Sequence, residues 1–484
     1  MKRFVWLYFL VAGAAVFAQP ADTMWTRQIG LAPDEMITAT CPYGDGGFVL
    51  AGYCGFNGDE IGPQNFFVAR ANAEGFPLWM TELGLADTNE FAYAVTATAN
   101  GDIVIAGDDY NYSPLYHSAH IVRLDSQGNV VWDHTFGDRL ATKNFCAVAE
   151  LANGDLVAAG TQLSDDVNYD VYLVRMNAGG DTLWTRTFGD ATIERVTDMT
   201  IMPNGDFLLC GNKWDDEQDF NLVLLIRADA DGNLVWMNTY WSGIQVLNFT
   251  GQDVTVMPNG DIGVSATCHD DLMRIWLMHA TADGDSLWTR TYSFDEYTTE
   301  SCDVIGTWDN QLAVIAMAGS SPAYHIVLMK AAENGDLAWE FHYAPDQYSM
   351  MVTGLLQTAD HGFVISGSCI NFSNQSDGLL LKTAPEGTDA SNAFDPRPAS
   401  FTLSAFPNPF NPATTISFSL PQTQAVKLVV YDVSGREVRV LSNGRYEAGE
   451  HHITFDGTEL PSGIYFAHLE SKDQARTTKL MLLK

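Results

Sequence analysis

The chain repeats itself seven times. Tryptophan stands at positions 25, 79, 132, 184, 236, 288 and 339, at spacings of 54, 53, 52, 52, 52 and 51. A second landmark keeps step: DGGFVLAG (45–52), NGDIVIAG (100–107), NGDLVAAG (153–160), NGDFLLCG (204–211), NGDIGVSA (259–266), DNQLAVIA (309–316) and DHGFVISG (360–367). A third is an apolar run leading into a turn, as in AHIVRLDSQG, DVYLVRMNAGG, HIVLMKAAENG and finally GLLLKTAPEG. A period near 52, with β-branched and aromatic runs bounded by Asn-Gly or Asp-Gly and no helical spacing, means short antiparallel strands.

Each unit reads as four strands. In one unit these are 184–189, 195–202, 206–211 and 221–227. Seven such sheets around an axis make an all-β fold, a seven-bladed β-propeller. A stacked solenoid would need atypical polar caps at both ends, and the end modules here resemble the middle ones. The first Trp strand, 25–30, precedes any complete set, and none follows the seventh apolar strand at 379–382. The N-terminal strand is therefore expected to complete the last blade and remove its open edge. The Trp strand is then outermost, and the Ala/Val/Thr-rich strand (93–98, 146–151, 253–257) innermost.

The Asn204-Gly205 and Asp231-Gly232 dipeptides predict two-residue hairpins. With a two-residue turn at Gly179-Gly180, Arg175 faces Trp184. The same separation gives Arg70–Trp79, Arg123–Trp132, Arg227–Trp236, His279–Trp288 and Lys330–Trp339, expected as cross-strand cation–π pairs.

Chemistry is sparse. The Gly–Trp spacing resembles neither the Asp-box of sialidase-type propellers, whose Gly lies one residue nearer the Trp, nor the quinoprotein docking motif, whose Thr and Lys are missing. Three acidic segments, DDYNYS (108–113), SDDVNYD (164–170) and WDDEQD (214–219), fall between equivalent strands and hence on one face. Their carboxylates Asp108, Asp109, Asp165, Asp166, Asp170, Asp215, Asp216 and Asp219 are the residue type Ca²⁺ takes, although solvated loops of an acidic protein have the same composition. His117 and His120 are close in sequence but show no metal-motif spacing. Neither a nucleophile elbow nor a phosphate loop occurs.

The charge is lopsided, with 60 acidic against 25 basic residues and a net −35. That excludes nucleic acid and anionic membrane surfaces as partners. At the N-terminus, Lys2 and Arg3 precede an apolar run over 4–17 and the small-residue end at Ala18. This is the layout of a secretory signal peptide (1–18) cut after Ala18, since 14 apolar residues fall short of the ~20 of a spanning helix. The mature form is expected to carry no membrane span. Seven Cys at irregular spacing define neither a zinc site nor a disulfide framework.

The propeller is expected over 19–383, followed by a Pro/Ala/Ser/Asp-rich flexible linker, 384–400. Residues 399–484 hold 8 basic and 8 acidic residues, so the acidity ends with the repeat and marks a boundary. The segment 401–484 reads as a small Ig-like β-sandwich of short alternating strands. Its motifs are Pro407-Asn408-Pro409, Asn411-Pro412, YDVSGR with Gly435 and Arg436, LPSGIY with Gly463 and Tyr465, and a last strand with Lys479. On these the segment resembles the C-terminal sorting domain (type A) of proteins exported by the type IX secretion system. The resemblance implies that secretion machinery as partner, passage through the periplasm and outer membrane, and a secreted or cell-surface cargo.

The cargo is expected to be a binding or scaffolding module with a protein or glycan ligand on one propeller face, no catalytic residues and no cofactor other than Ca²⁺. The alternative is a carbohydrate-active enzyme, a lyase or hydrolase. That alternative requires paired carboxylates, or a Tyr/His/Arg group, converging on one mouth of the central channel.

Overall fold

Seven four-stranded antiparallel sheets follow one another in the computed structural model. It describes residues 23–30, 35–57, 60–84, 88–112, 115–137, 142–163, 168–217, 219–241, 248–269, 273–294, 298–320, 323–343, 348–371, 376–386, 402–406, 408, 410–420, 424–446, 449–472 and 474–483. The chain divides into two compact units, 1–389 and 390–484. The signal-peptide residues and most of the linker lie outside the described residues.

Blade 2 illustrates the repeat. Its inner strand Asn89–Ala97 is followed by Ile103–Tyr112, Leu115–Leu124 and the outer strand Val130–Phe136, each bonded to the next. The inner strands of blades 1 and 3 to 6 are Glu35–Pro42, Lys143–Glu150, Glu194–Ile201, Asn248–Val256 and Thr298–Gly306. Blade 7 runs Tyr348–Gln357, Phe363–Asn371 and Ser376–Thr383, with Thr23–Ile29 as its outer strand, Gln28 opposite Leu379. Neighbouring inner strands touch in order and that of blade 7 touches that of blade 1, so the ring closes. The fold is an all-β, seven-bladed propeller. Apolar side chains fill the spaces between blades, for example Val104, Ala106 and Ile121 of blade 2 against Phe145, Leu156 and Val174 of blade 3.

The outer hairpins differ from the predicted two-residue turns. Asn177 N bonds Asp181 O, Gly180 N bonds Asn177 O, and only Gly180 is left-handed, at φ +87°. Met176 then pairs with Thr182 and Arg175 with Trp184, so Leu183 is bulged out of the ladder and half exposed. The Arg–Trp register is as predicted because this bulge restores it. The Asn204-Gly205 turn has the same form, with Met202 N on Asp206 O. Bulged, outward residues such as Leu78, Val131, Leu183, Val235 and Leu287 leave each outer strand a poor template for another chain.

The cation–π expectation is corrected. The basic residue opposite each Trp instead pairs with an aspartate of the inner hairpin: Arg70–Asp45, Arg123–Asp102, Arg175–Asp155, Arg227–Asp206, His279–Asp261, Lys330–Asp309 and Lys382–Asp360. Arg123 also donates to Ala178 O of the next blade at 2.9 Å, beside Trp132 Nε1 at 3.1 Å. Ion pairing wins because the guanidinium can satisfy a carboxylate and a carbonyl at once, whereas the ring face offers about 0.5–1 kcal/mol. Among the described residues, the rings of Trp25, Trp79, Trp132, Trp184, Trp236 and Trp288 lie against the next blade's turn glycine. A Cβ at Gly75 would stand 2.6 Å from Trp25, at Gly232 2.7 Å from Trp184, and at Gly335 2.9 Å from Trp288. Turn glycine and tryptophan thus recur because each blade bolts to the next through them.

The second unit has a three-stranded sheet, Thr402–Phe406, Ala413–Leu420 and Gly449–Asp456, and a four-stranded one. The latter runs Glu437–Tyr446, Gln424–Asp432, Gly463–Ser471 and Ala475–Leu482. Phe410, Phe418, Leu428, Phe455, Leu469 and Leu482 fill its core.

Candidate functional site

Seven inner strands converge on one cavity of about 270 Å³. Every inner strand carries a one-residue bulge at the same station, which turns Thr38, Tyr93, Cys146, Thr197, Gln252, Cys302 and Thr353 out of the ladder, and all of them line the cavity. Several reach the next blade: Thr38 Oγ1 donates to Ala92 O at 2.6 Å, Thr353 Oγ1 to Ile37 O at 3.1 Å, and Cys146 Sγ to Val196 O at 3.4 Å.

One residue further on, blades 4, 5 and 6 place Asp198, Asp253 and Asp303 where the others have Ala39, Ala94, Ala147 and Gly354. Each carboxylate accepts a backbone N–H of the following blade: Asp198 from Val254 at 3.3 Å, Asp253 from Val304 at 2.7 Å and Asp303 from Leu355 at 2.6 Å. Burial within the ring, then the charges of Asp198 and Asp303, push the Asp253 carboxyl well above the usual range. Asp303 is also raised by burial, opposed by the hydrogen bond from Asp253. Of the three, Asp253 is the carboxyl that burial and its like-charged neighbours Asp198 and Asp303 drive furthest toward the protonated form. Tyr93 faces the same space, its phenol raised by burial and by Asp108. The thiols of Cys146 and Cys302 are likewise raised by burial and stay protonated. All seven cysteines are free.

The predicted acidic residues are placed differently from one another. Asp165 and Asp166 lie outside the described residues. Asp108 and Asp109 belong to the strand Ile103–Tyr112 rather than to a loop, and both are buried. Asp108 meets His117 Nδ1 at 2.9 Å, and Asp109 meets His120 Nδ1 at 2.5 Å. Asp170 lies in the third strand of blade 3 and packs on Gly189. Asp215 caps the turn that follows it through Glu217 N, while Asp216 and Asp219 are exposed. Among the described residues, only Asp109 of this set stands with two other possible metal ligands, Glu90 and His120. His120 Nε2 also meets Asp133 at 2.7 Å. Burial lowers its basicity, but the two flanking aspartates outweigh that and carry it up to about 9.

In the second unit the motif residues latch the last strand. Asn408 Nδ2 donates to Lys479 O at 2.6 Å and its Oδ1 accepts from Met481 N at 2.8 Å. Phe410 N bonds Met481 O, and Leu483 N bonds Phe410 O. Pro412, next to exposed Asn411, accepts from Gly457 N. Gly435 takes the left-handed position of a turn closed by Arg436 Nε on Asp432 at 3.0 Å, and buried Tyr465 donates to Pro461 O at 2.8 Å from the strand that Gly463 opens. Pro407 and Pro409 lie outside the described residues.

The two units define an exported propeller: a repeat ring followed by a β-sandwich whose motifs secure the last strand. Residues 404–483 match the family of secretion system C-terminal sorting domains, and the chain carries that domain. It is exported by the type IX secretion system to the cell surface or the medium. No helix among the described residues is long and apolar enough to cross a membrane.

No curated protein matches the chain. A solved PL25 ulvan lyase bound to a GlcA–Rha3S ligand is 8% identical, covering 73% of this chain and 95% of its own, with a TM-score of 0.49. The polysaccharide lyase Uly1 is 12% identical over 72% of this chain and 89% of its own, at 0.45. The β-propeller domain of the Trilobed protease from Pyrococcus furiosus is 7% identical over 73% and 94%, at 0.43. Likenesses this remote carry no function across, and the blade count here rests on strand order alone.

Proposed function

We propose that the propeller is a binding module of the cell surface or the medium, taking a glycan or protein ligand on a face. The observation that carries this reading is the engagement of the channel carboxyls. Asp198, Asp253 and Asp303 do converge, as an enzyme would need, yet each accepts the next blade's backbone N–H, and burial with its like-charged neighbours pushes Asp253 toward the protonated form. Hydrolysis of a glycosidic bond needs two carboxyls free to act on a sugar held between them, whereas these three are engaged by backbone N–H groups of the following blades. Tyr93, with its phenol raised, is a poor base for proton abstraction.

The test pairs a glycan array with a degradation assay on uronate-containing and neutral polysaccharides. Retention of a glycan or of a cell-surface protein without new reducing or unsaturated ends is expected. Appearance of such ends, abolished by Asp303→Asn, would overturn the reading in favour of an enzyme.

A further inference from the structure

Blade 2 gathers three buried side chains of metal-ligating type. Glu90, Asp109 and His120 come from three adjacent strands of blade 2 and share the sheet face that meets blade 1, where the His120 ring packs on Phe66 at 4.9 Å. They are 1%, 6% and 4% exposed, and their ligand atoms lie within 4.8 Å of one another. Asp109 Oδ1 and His120 Nδ1 are 2.5 Å apart, an ion pair whose bridging proton a metal ion would displace. The other ring nitrogen is held by Asp133, which is how a metal-bound imidazole is usually oriented. Asn65 Oδ1 of blade 1 and Glu90 Oε2 of blade 2 both crowd the point where a Cβ of Gly84 would stand, at 2.1 and 2.5 Å.

The repeat supplies an internal control. Glu194 of blade 4 occupies the station of Glu90, and a Cβ at Gly189 would meet Asp170 Oδ1 at 2.1 Å and Glu194 Oε2 at 2.9 Å, the same cradle. Opposite Glu194 stands Lys213, whose ammonium pairs with Glu194 and with Asp190. Opposite Glu90 the ladder instead puts Asp109. Blade 2 thus replaces a built-in cation with a second carboxylate and adds an imidazole nitrogen.

We propose that blade 2 holds a divalent transition-metal ion, Zn²⁺ or Mn²⁺, between Glu90, Asp109 and His120 Nδ1, with Asn65 Oδ1 within reach as a fourth donor and Asp133 orienting the histidine. Mixed imidazole and carboxylate donors suit these ions, whereas Ca²⁺ and Mg²⁺ take oxygen alone. The ion ties blade 1 to blade 2 and stands in for the ammonium of blade 4. Glu90, Asp109 and His120 are not among the residues lining the channel cavity.

The test uses the exported full chain, stripped with EDTA and dialysed separately against Zn²⁺, Mn²⁺ or Ca²⁺. Metal content is read by mass spectrometry and unfolding by tryptophan fluorescence. One Zn²⁺ or Mn²⁺ per chain is expected, with a rise in melting temperature that EDTA reverses. His120→Gln and Asp109→Asn should each lower metal occupancy at least tenfold. Asp109→Lys, which copies blade 4, should bind no metal yet melt no lower than the stripped wild type, so that loss of metal is separated from loss of fold. Absence of Zn²⁺ and Mn²⁺ from the wild type, uptake of Ca²⁺ alone, or undiminished metal in Asp109→Lys would each overturn the proposal.

Discussion

Asp253 and Asp303 look alike in the sequence, but their amide variants should behave in opposite ways. Asp253, pushed well up by burial and by the charges of Asp198 and Asp303, can donate to Asp303 in its protonated form while accepting from Val304 N. Asparagine has the same donor and acceptor in nearly the same shape, so Asp253→Asn imitates that form. Asp303 instead accepts from Asp253 and from Leu355 N. Asp303→Asn must turn an N–H toward one of these donors, and a buried donor left unmet costs about 1–3 kcal/mol. The pH dependence separates the two further. The folded-state pKa of Asp253 lies above its unfolded value, so the linked stabilisation is complete below about pH 4 and is lost as pH rises through the folded value. Across that window one proton tilts stability by about 1.4 kcal/mol per pH unit. Asp253→Asn removes this tilt, and its stability relative to wild type should climb with pH. Urea unfolding of the full chain followed by tryptophan fluorescence reads the propeller alone, since no Trp lies beyond position 339. If Asp253→Asn were as destabilising as Asp303→Asn, or kept the wild-type pH slope, the protonated form of Asp253 would be refuted.

Three further outcomes follow from the ring and its appendage. Gly232→Ala, at φ +78° and with its Cβ 2.7 Å from Trp184, should cost about 1–3 kcal/mol more than Gly154→Ala. Gly154 has a similar φ of +85° but open space around it, so urea midpoints of the two isolate the blade-to-blade contact. Arg175→Ala and Asp155→Ala should each destabilise by about 1–3 kcal/mol, and the double variant by clearly less than their sum, because they remove one ion pair. Deletion of residues 404–483 should leave the propeller in the periplasm, as read by fractionation and by protease accessibility on intact cells.

The architecture was legible because it is periodic. A Trp strand at one end lacking its partners, and an apolar strand at the other lacking its Trp, could only meet, and Gln28 does pair with Leu379. Turn type and Arg partnership were harder. Asn-Gly signals a left-handed residue without saying whether one or two are needed, and here the bulge at Leu183 makes one enough. Residues that face each other suggest a pair, but Arg175 is long enough to reach Asp155, and charge decides between ring and carboxylate. Asp108 and Asp109 look like loop in the sequence because a polar run resembles a turn. The strand continues through them because His117 and His120 partner them across the hairpin. The channel aspartates were visible as TDMT, QDVT and CDVI, but a bulge cannot be seen in a sequence, and without it their direction is unknown.

A repeat protein annotates itself by where it breaks its own pattern. Residues present in every blade, the Trp and the basic–acidic pair, keep the ring closed, and their recurrence argues against a chemical role. Departures must be explained individually. Asp198, Asp253 and Asp303 break the small-residue rule of the inner strand on three consecutive blades, and the break is absorbed by bonds to the following blade. His120 stands where other blades have Phe67, Tyr172, Leu224, Trp276, Val327 and Leu379, an apolar station that tolerates an imidazole only if the group is satisfied on both nitrogens. Asp133 satisfies one of them. The other faces two carboxylates in the position that blade 4 fills with Lys213, and a cation there explains why blade 2 departs from its neighbours at three residues together.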